Sequence, residues 1–321
     1  MVGGAGFIGH NLAISLKLKG AKVKVLDSLL INHIGEHSNS KIGKENPIYL
    51  KFLNERILLL KKYKIPLDVV DARDYHLLSD KLSEFKPDVV IFLAAVAHAN
   101  KANKDPFNTF DHSLRTLENT LDTVRESNVH FIYFSSSMVY GEFKKKKVTE
   151  NTVCNPVGIY GALKYSGEKL LIAYNQVFNL KFSIIRPSAL YGERCVSRRV
   201  SQVFLENAIN SKDLKINGDG QDSLDFTYIE DLISGVELII KNKKSYGQIF
   251  NVTYGKSEKI INLAKYIAEK FNVKINFSKR DKLMPKRGTL DISKAKKLLN
   301  YSPKFNIYKG MEKYIQWYKN N

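Results

Sequence analysis

Two cysteines, eight prolines and a single tryptophan in 321 residues exclude several architectures at the outset. Cys154 and Cys195 form no CxxC pair and have no histidine cluster beside them, so neither a disulfide framework nor a metal site is encoded. Internal repeats and Pro/Gly/Ser linkers are missing. No apolar run approaches the roughly 18 residues of a membrane span, and the first residues lack the basic start and apolar stretch of a signal peptide. The chain therefore reads as soluble and cytoplasmic. Acidic residues are also scarce: 32 Asp and Glu face 51 Lys and Arg, a formal charge of +19. Such an excess suits phosphate-bearing partners, yet the lysines are scattered, and the one dense run, Lys144 to Lys147, reads as a solvated loop just after a strand. Solvated faces are preferred over nucleic-acid binding, while anionic substrates or a membrane surface stay compatible with the charge.

What is present is the pattern of an α/β protein. Short apolar runs at Lys22 to Leu26, Asp68 to Val70, Asp88 to Leu93, Phe131 to Ser135 and Phe182 to Arg186 read as buried parallel strands. Amphipathic stretches alternate with them, at Ile8 to Lys19, Tyr75 to Glu84, Phe107 to Ser127 and Tyr160 to Phe178. That alternation predicts βαβ units and a Rossmann-type, doubly wound parallel sheet. After Pro187 the elements become shorter and more mixed, with helices expected at Ile229 to Ile240 and Ile260 to Phe271. Residues 1–186 are thus assigned to a dinucleotide-binding domain, and 187–321 to a smaller, partly interleaved substrate-binding region.

The segment Gly3-Gly4-Ala5-Gly6-Phe7-Ile8-Gly9 places glycines where a strand-to-helix turn must be tight, where backbone approaches a pyrophosphate, and where helix packs on sheet. A helix N-terminus follows, offering free N–H groups and a positive dipole end. Asp27 closes the next strand about 20 residues on, as the dinucleotide fingerprint requires, to accept ribose hydroxyls. Ser28 follows it, with no arginine there for a 2′-phosphate, so NAD is expected over NADP. Only Met1 and Val2 precede Gly3. Most of a first strand is therefore expected to be missing, leaving a gap beside the strands that carry Asp27 and Asp71.

Tyr160 and Lys164 lie four apart on a predicted helix and share a face. A phenol is a poor base at neutral pH, and a neighbouring ammonium favours the phenolate. The strand ending in Ser135-Ser136-Ser137 brings hydroxyls to the carboxyl edge of the sheet, where ligands of such folds bind. Singly these are surface or capping residues; as a set they read as a proton-transfer site.

In these motifs, together with Asp71-Ala72-Arg73-Asp74, Leu93-Ala94-Ala95, Arg186-Pro187, Gly218-Asp219-Gly220, Asp225-Phe226-Thr227-Tyr228 and Arg287-Gly288, the chain resembles the extended short-chain dehydrogenase/reductase family, specifically its nucleotide-sugar epimerases and dehydratases. The resemblance spans nearly the whole length. It implies that Gly3, Gly6, Phe7, Ile8, Gly9 and Asp27 hold NAD, that Asp71 and Ala72 border the adenine, and that Leu93, Ala94 and Ala95 line the cofactor cleft. It implies Ser136 as the catalytic hydroxyl, Tyr160 as the acid/base, and Lys164 as the ligand of the nicotinamide ribose. A nucleotide-diphosphate sugar is the implied substrate, a homodimer through the helices of 107–127 and 160–178 the implied assembly, and cell-envelope polysaccharide synthesis the implied setting.

Dehydratases of this family carry an acidic residue within the two positions after the catalytic hydroxyl; here Ser137 and Met138 stand there, which favours 4-epimerisation over dehydration, with keto-sugar reduction as a further alternative, while the full set Ser136, Tyr160 and Lys164 argues against a non-catalytic NAD- or RNA-binding role. Ala189 and Leu224 replace an Asn and an Arg that usually help to grip the substrate's phosphates. Arg287 and one of Arg194, Arg198 or Arg199 are expected to compensate. The 194–199 run equally suits a uronic acid carboxylate or a solvated loop. His98 is placed at the same edge, as a structural residue first and a sugar contact second.

Overall fold

The computed structural model describes residues 1–31, 33–38, 48–97, 99–280 and 284–320. A parallel sheet forms its centre, built from β1 (Val25–Asp27), β2 (Leu67–Val69), β3 (Val89–Phe92), β4 (His130–Phe134), β5 (Lys181–Arg186) and β6 (Gln248–Asn251). Hydrogen bonding orders them β6-β5-β4-β3 on one side and β1-β2 on the other. All five residues of β4 are buried, as expected for a strand covered on both faces and flanked by two neighbours.

Met1 to Gly3 occupy the position between β1 and β3. Val2 is buried and bridges both strands: its N–H donates to Ile91 O at 3.0 Å, its carbonyl accepts from Leu93 N at 2.8 Å, and Gly3 N donates to Leu26 O at 2.8 Å. The expected site of the gap is thereby corrected. β2, which leads to Asp71, lies at the outer edge of the sheet, so the first residues adjoin β1 and β3 instead.

Helices cover the sheet. Those expected from periodicity form at α1 (Phe7–Leu18), Tyr75–Phe85, Gly158–Phe178, Ile229–Lys241 and Ile260–Phe271. The Asp74 carboxylate caps the second of these by accepting from Leu77 N at 3.0 Å, and Asn179 ends the third with φ at 57°. The single helix expected over 107–127 is instead Pro106–Phe110, a π-helical turn at Asp111–Arg115, and Thr116–Val124. That wide turn carries His112, which lines a cavity described below. A further helix, α2 (Ile48–Lys62), had no counterpart in the sequence pattern; it buries Tyr49, Phe52, Leu53, Arg56 and Leu60 along one stripe.

The two sequence regions share this sheet. β6 comes from the second region and pairs with β5. The Ile229–Lys241 helix meets α1, where Ser15 Oγ donates to Glu237 Oε1 at 2.6 Å. Outside the sheet, Lys147 of the basic run opens a short strand, Lys147–Val148, and pairs with Asp291 at 2.8 Å. No helix among the described residues is long and apolar enough to cross a membrane.

Candidate active site

Two adjoining cavities open at the carboxyl edge of the sheet. The first runs along the glycine turn and is lined by Gly3, Gly6, Phe7, Ile8, Gly9, Asp27, Asp71, Ala72, Leu93, Ala94 and Ala95; of the other residues expected to hold the cofactor, Tyr160 lines the second cavity and Lys164 lines neither. The three glycines differ in what they exclude. A Cβ on Gly3, whose φ is +75°, would lie 2.5 Å from Ala94 N, and one on Gly9 would lie 2.3 Å from Gly4 O. Both are required by the protein itself. A Cβ on Gly6 would meet only Gly3 O at 3.5 Å, so its bareness leaves the cavity floor open. Gly6 is also the N-cap of α1 and supplies no side-chain acceptor, which leaves the first N–H groups of the helix for a ligand.

Asp27 is fixed by two backbone donors: Ala5 N to Oδ2 and Leu29 N to Oδ1, each at 2.9 Å. Burial raises its pKa, against those two hydrogen bonds. Its oxygens retain lone pairs for a ribose hydroxyl. Burial also opposes ionisation of Asp71, but the hydrogen bonds and charge of Arg73, 2.6 Å away, outweigh it and hold the carboxyl below its usual range. A bare turn at a helix N-terminus, a fixed carboxylate one strand away and a small-residue wall at Ala94 and Ala95 fit a dinucleotide.

The second cavity meets the first at Ala97 and Arg199, which line both. Ser136, Ser137, Met138 and Tyr160 form one wall. Among the three consecutive serines, Ser135 turns inward and donates to Glu168, which Arg186 grips through two hydrogen bonds of 2.9 and 2.6 Å. Ser136 Oγ accepts from Met138 N at 3.2 Å, and Ser137 Oγ accepts from Arg287 Nη1 at 3.2 Å. Lys164 lies behind Tyr160, one turn on along the same helix. Its Nζ is buried and donates to Phe134 O at 2.7 Å; burial pulls its pKa down to about 8, partly offset by Glu168.

The rest of the lining is rich in basic side chains. Arg198, Arg199, Arg280, Arg287 and Lys215 all belong to it. Arg287 is partly buried, and desolvation pulls its pKa down to about 10, with the Arg199 charge adding to the effect. Its segment is pinned by Asp225, which accepts from Leu290 N at 3.1 Å and Gly255 N at 3.2 Å. Ala189 and Leu224, the two departures from the family pattern, face this cavity as well.

Residues 1–253 match the family model described as the NAD dependent epimerase/dehydratase family. The chain belongs to that family. NAD is its cofactor. Similar proteins include an uncharacterized UDP-glucose epimerase of Bacillus subtilis, 30% identical over 99% of this chain and 96% of that protein. A dTDP-D-glucose 4,6-dehydratase of Dictyostelium discoideum is 27% identical over 78% of this chain and 57% of its own length. Among solved structures, the UDP-glucuronic acid 4-epimerase of Bacillus cereus, in complex with UDP-glucuronic acid and NAD, has a TM-score of 0.84 at 28% identity, covering 99% of this chain and 98% of that one.

Within this epimerase/dehydratase scaffold, one expected substrate residue lies elsewhere. Arg194 lines neither cavity; its guanidinium meets Glu55 and His10, each at 3.1 Å, and lies over Trp317. With φ at 62°, the backbone of Arg194 turns left-handed, and the side chain is directed into the protein body rather than toward the sugar. Arg199 and Arg287 do reach the cavity, while His98 lies outside the described residues. Arg280 and Lys215 were not singled out from sequence. The pairing of strand Ile275–Ser278 with Leu214–Asn217 brings their segments together, beside the Gly218-Asp219-Gly220 turn.

Proposed function

We propose that this chain is an NAD-dependent nucleotide-sugar 4-epimerase, working through a transient 4-keto sugar. The observation that carries the reading is Met138 in the cavity wall, at a position where elimination of water across C5 and C6 calls for a proton-transferring carboxylate. Asp222 is the one carboxylate among the described lining residues, and it is held by Arg280 at 2.9 Å. Tyr160 takes the proton from the C4 hydroxyl and Ser136 hydrogen-bonds the same oxygen. Lys164, charged below about pH 8, favours the phenolate and holds the nicotinamide ribose. NAD, when bound, supplies the hydride acceptor for C4 and returns the hydride to the other face. The arginine-rich lining matches a diphosphate, with Arg287 and Arg199 as its first ligands beside Ser137.

The names of the relatives support a UDP-sugar as the first substrate to try. A homodimer belongs to the same reading, supported by apolar side chains left open on the two long helical segments, Phe107 at 81% and Val177 at 69% exposure. The test is to incubate the protein with UDP- and GDP-sugars and catalytic NAD, and to read the products by NMR. C4 epimers are expected, with turnover lowered about a thousandfold in Tyr160→Phe. Products consisting only of 4-keto-6-deoxy sugars would overturn the epimerase reading in favour of a dehydratase.

A further inference from the structure

Arg56 is a cation in an unusual place. It sits within the buried stripe of α2, 1% exposed, flanked by Phe52 and Leu60. Its Nε donates to the carbonyl of Arg194 at 3.1 Å, and Nη2 donates to the same oxygen. Among the described residues, Nη1 has no hydrogen-bond acceptor and no carboxylate forms an ion pair with the group. A buried guanidinium without an anionic partner is costly, and proteins rarely leave one so. Arg56 nevertheless lines the cofactor cavity, together with Gly6, Gly9, Asp27 and Ser197.

We infer that Arg56 is a ligand of the dinucleotide's pyrophosphate, in the cavity that the N-terminus of α1 also borders. The inference rests on the cofactor reading of this cavity and adds to it a residue from outside the glycine fingerprint. Three observations converge on that anion. The bare face of Gly6 leaves room for a phosphate on the cavity floor, the uncapped N–H groups of α1 offer donors, and Arg56, with Nε and Nη2 held by the Arg194 carbonyl, offers Nη1 and its charge. Near neutrality the pyrophosphate carries the charge that Arg56 lacks in the protein. The Asp27 carboxylate acts on Arg56 through its charge, but among the described residues it makes no hydrogen bond or ion pair with it, and it accepts from Ala5 and Leu29 instead.

The alternative is structural: Arg56 only pins the Arg194 carbonyl, and with it the loop that carries Arg198 and Arg199. Affinity and melting temperature separate the two roles. In Arg56→Met, calorimetry should give about tenfold to a hundredfold weaker binding of NAD, ADP-ribose and NADP alike, the loss expected for a charge-assisted phosphate contact. The ligand-free variant should melt at or above the wild-type temperature, since an unpaired buried charge has been removed, while the upward shift given by NAD shrinks. A ligand-free variant that melts lower yet keeps the full NAD shift overturns the inference, and so does a loss confined to NADP, which would place the charge at a 2′-phosphate. Should Arg56→Met fail to fold, Arg56→Gln retains an amide donor for the Arg194 carbonyl without the charge, and unchanged NAD affinity in it overturns the inference equally. Wild-type protein that binds neither NAD nor ADP-ribose overturns the cofactor reading itself; wild type that binds while the variants bind equally well overturns only the role of Arg56.

Discussion

The two cavities are made by different means. The cofactor cavity is shaped by backbone: its floor is a glycine turn in which an added methyl on Gly3 or Gly9 would collide with main-chain atoms, and its far wall is Ala94 and Ala95 at the end of β3. The substrate cavity is shaped by long side chains that arrive from separate segments, with Arg199 preceding one helix, Lys215 on a short strand, Arg280 after another and Arg287 on a loop pinned by Asp225. A backbone-made site tolerates almost no change in residue type. A side-chain-made site can be rebuilt from different positions, which is how Ala189 and Leu224 can stand where phosphate ligands are usual.

The sharpest way to break this comparison is at the glycines. Gly9→Ala should destabilise the protein by about 3 kcal/mol, because its Cβ would sit 2.3 Å from Gly4 O and the turn cannot yield without moving the sheet edge. Gly6→Ala should leave the ligand-free melting temperature nearly unchanged, since Gly6 has φ at −68° and open space at its Cβ, yet weaken NAD by about tenfold or more. Thermal melts with and without NAD measure both. Equal effects in the two variants would mean that the cavity floor is not where the pyrophosphate lies.

The second contrast lies among the arginines. Arg287→Ala should raise the KM for the nucleotide sugar by about tenfold to a hundredfold, the loss of a charged hydrogen bond to phosphate. Arg194→Ala should leave KM within about twofold while lowering stability by about 1 kcal/mol, because Glu55 loses the partner 3.1 Å away. Steady-state kinetics and melting curves on both variants decide it; a KM effect at Arg194 would return that residue to the substrate site.

The same division explains what could be read from sequence. Strand β4 and the helix Ile260–Phe271 were legible because their apolar residues follow the period of the element. The glycine turn was legible because steric demands on backbone leave a fixed spacing. Among the arginines, Arg287 and Arg199 were singled out and line the cavity, but the exclusion of Arg194 was not legible, since the run Arg194 to Arg199 has no period that tells which side chain turns inward. A left-handed residue at Arg194 and a cap at Arg199 decide that, and neither is marked by glycine or asparagine. The helix Ile48–Lys62 was missed for a related reason. Arg56 falls in the apolar stripe that would have marked it, so the residue that breaks the pattern is also the one that reaches the cavity.

Lys164 lies one turn from Tyr160 on the same helix and gives a prediction about pH. Its ammonium is buried against Phe134 O, and desolvation brings its pKa to about 8 against the ~10.4 of a solvated lysine. The sign follows from which form is charged: below about pH 8 the ammonium is present and can favour the Tyr160 phenolate, and as pH rises through that value the charge is lost. The lysine contribution to kcat should therefore halve near pH 8 and fall about tenfold by pH 9. A kcat profile that stays flat to pH 10 would mean that Lys164 keeps its proton in the loaded enzyme. The Glu168 carboxylate, which opposes the desolvation, would then be what holds it.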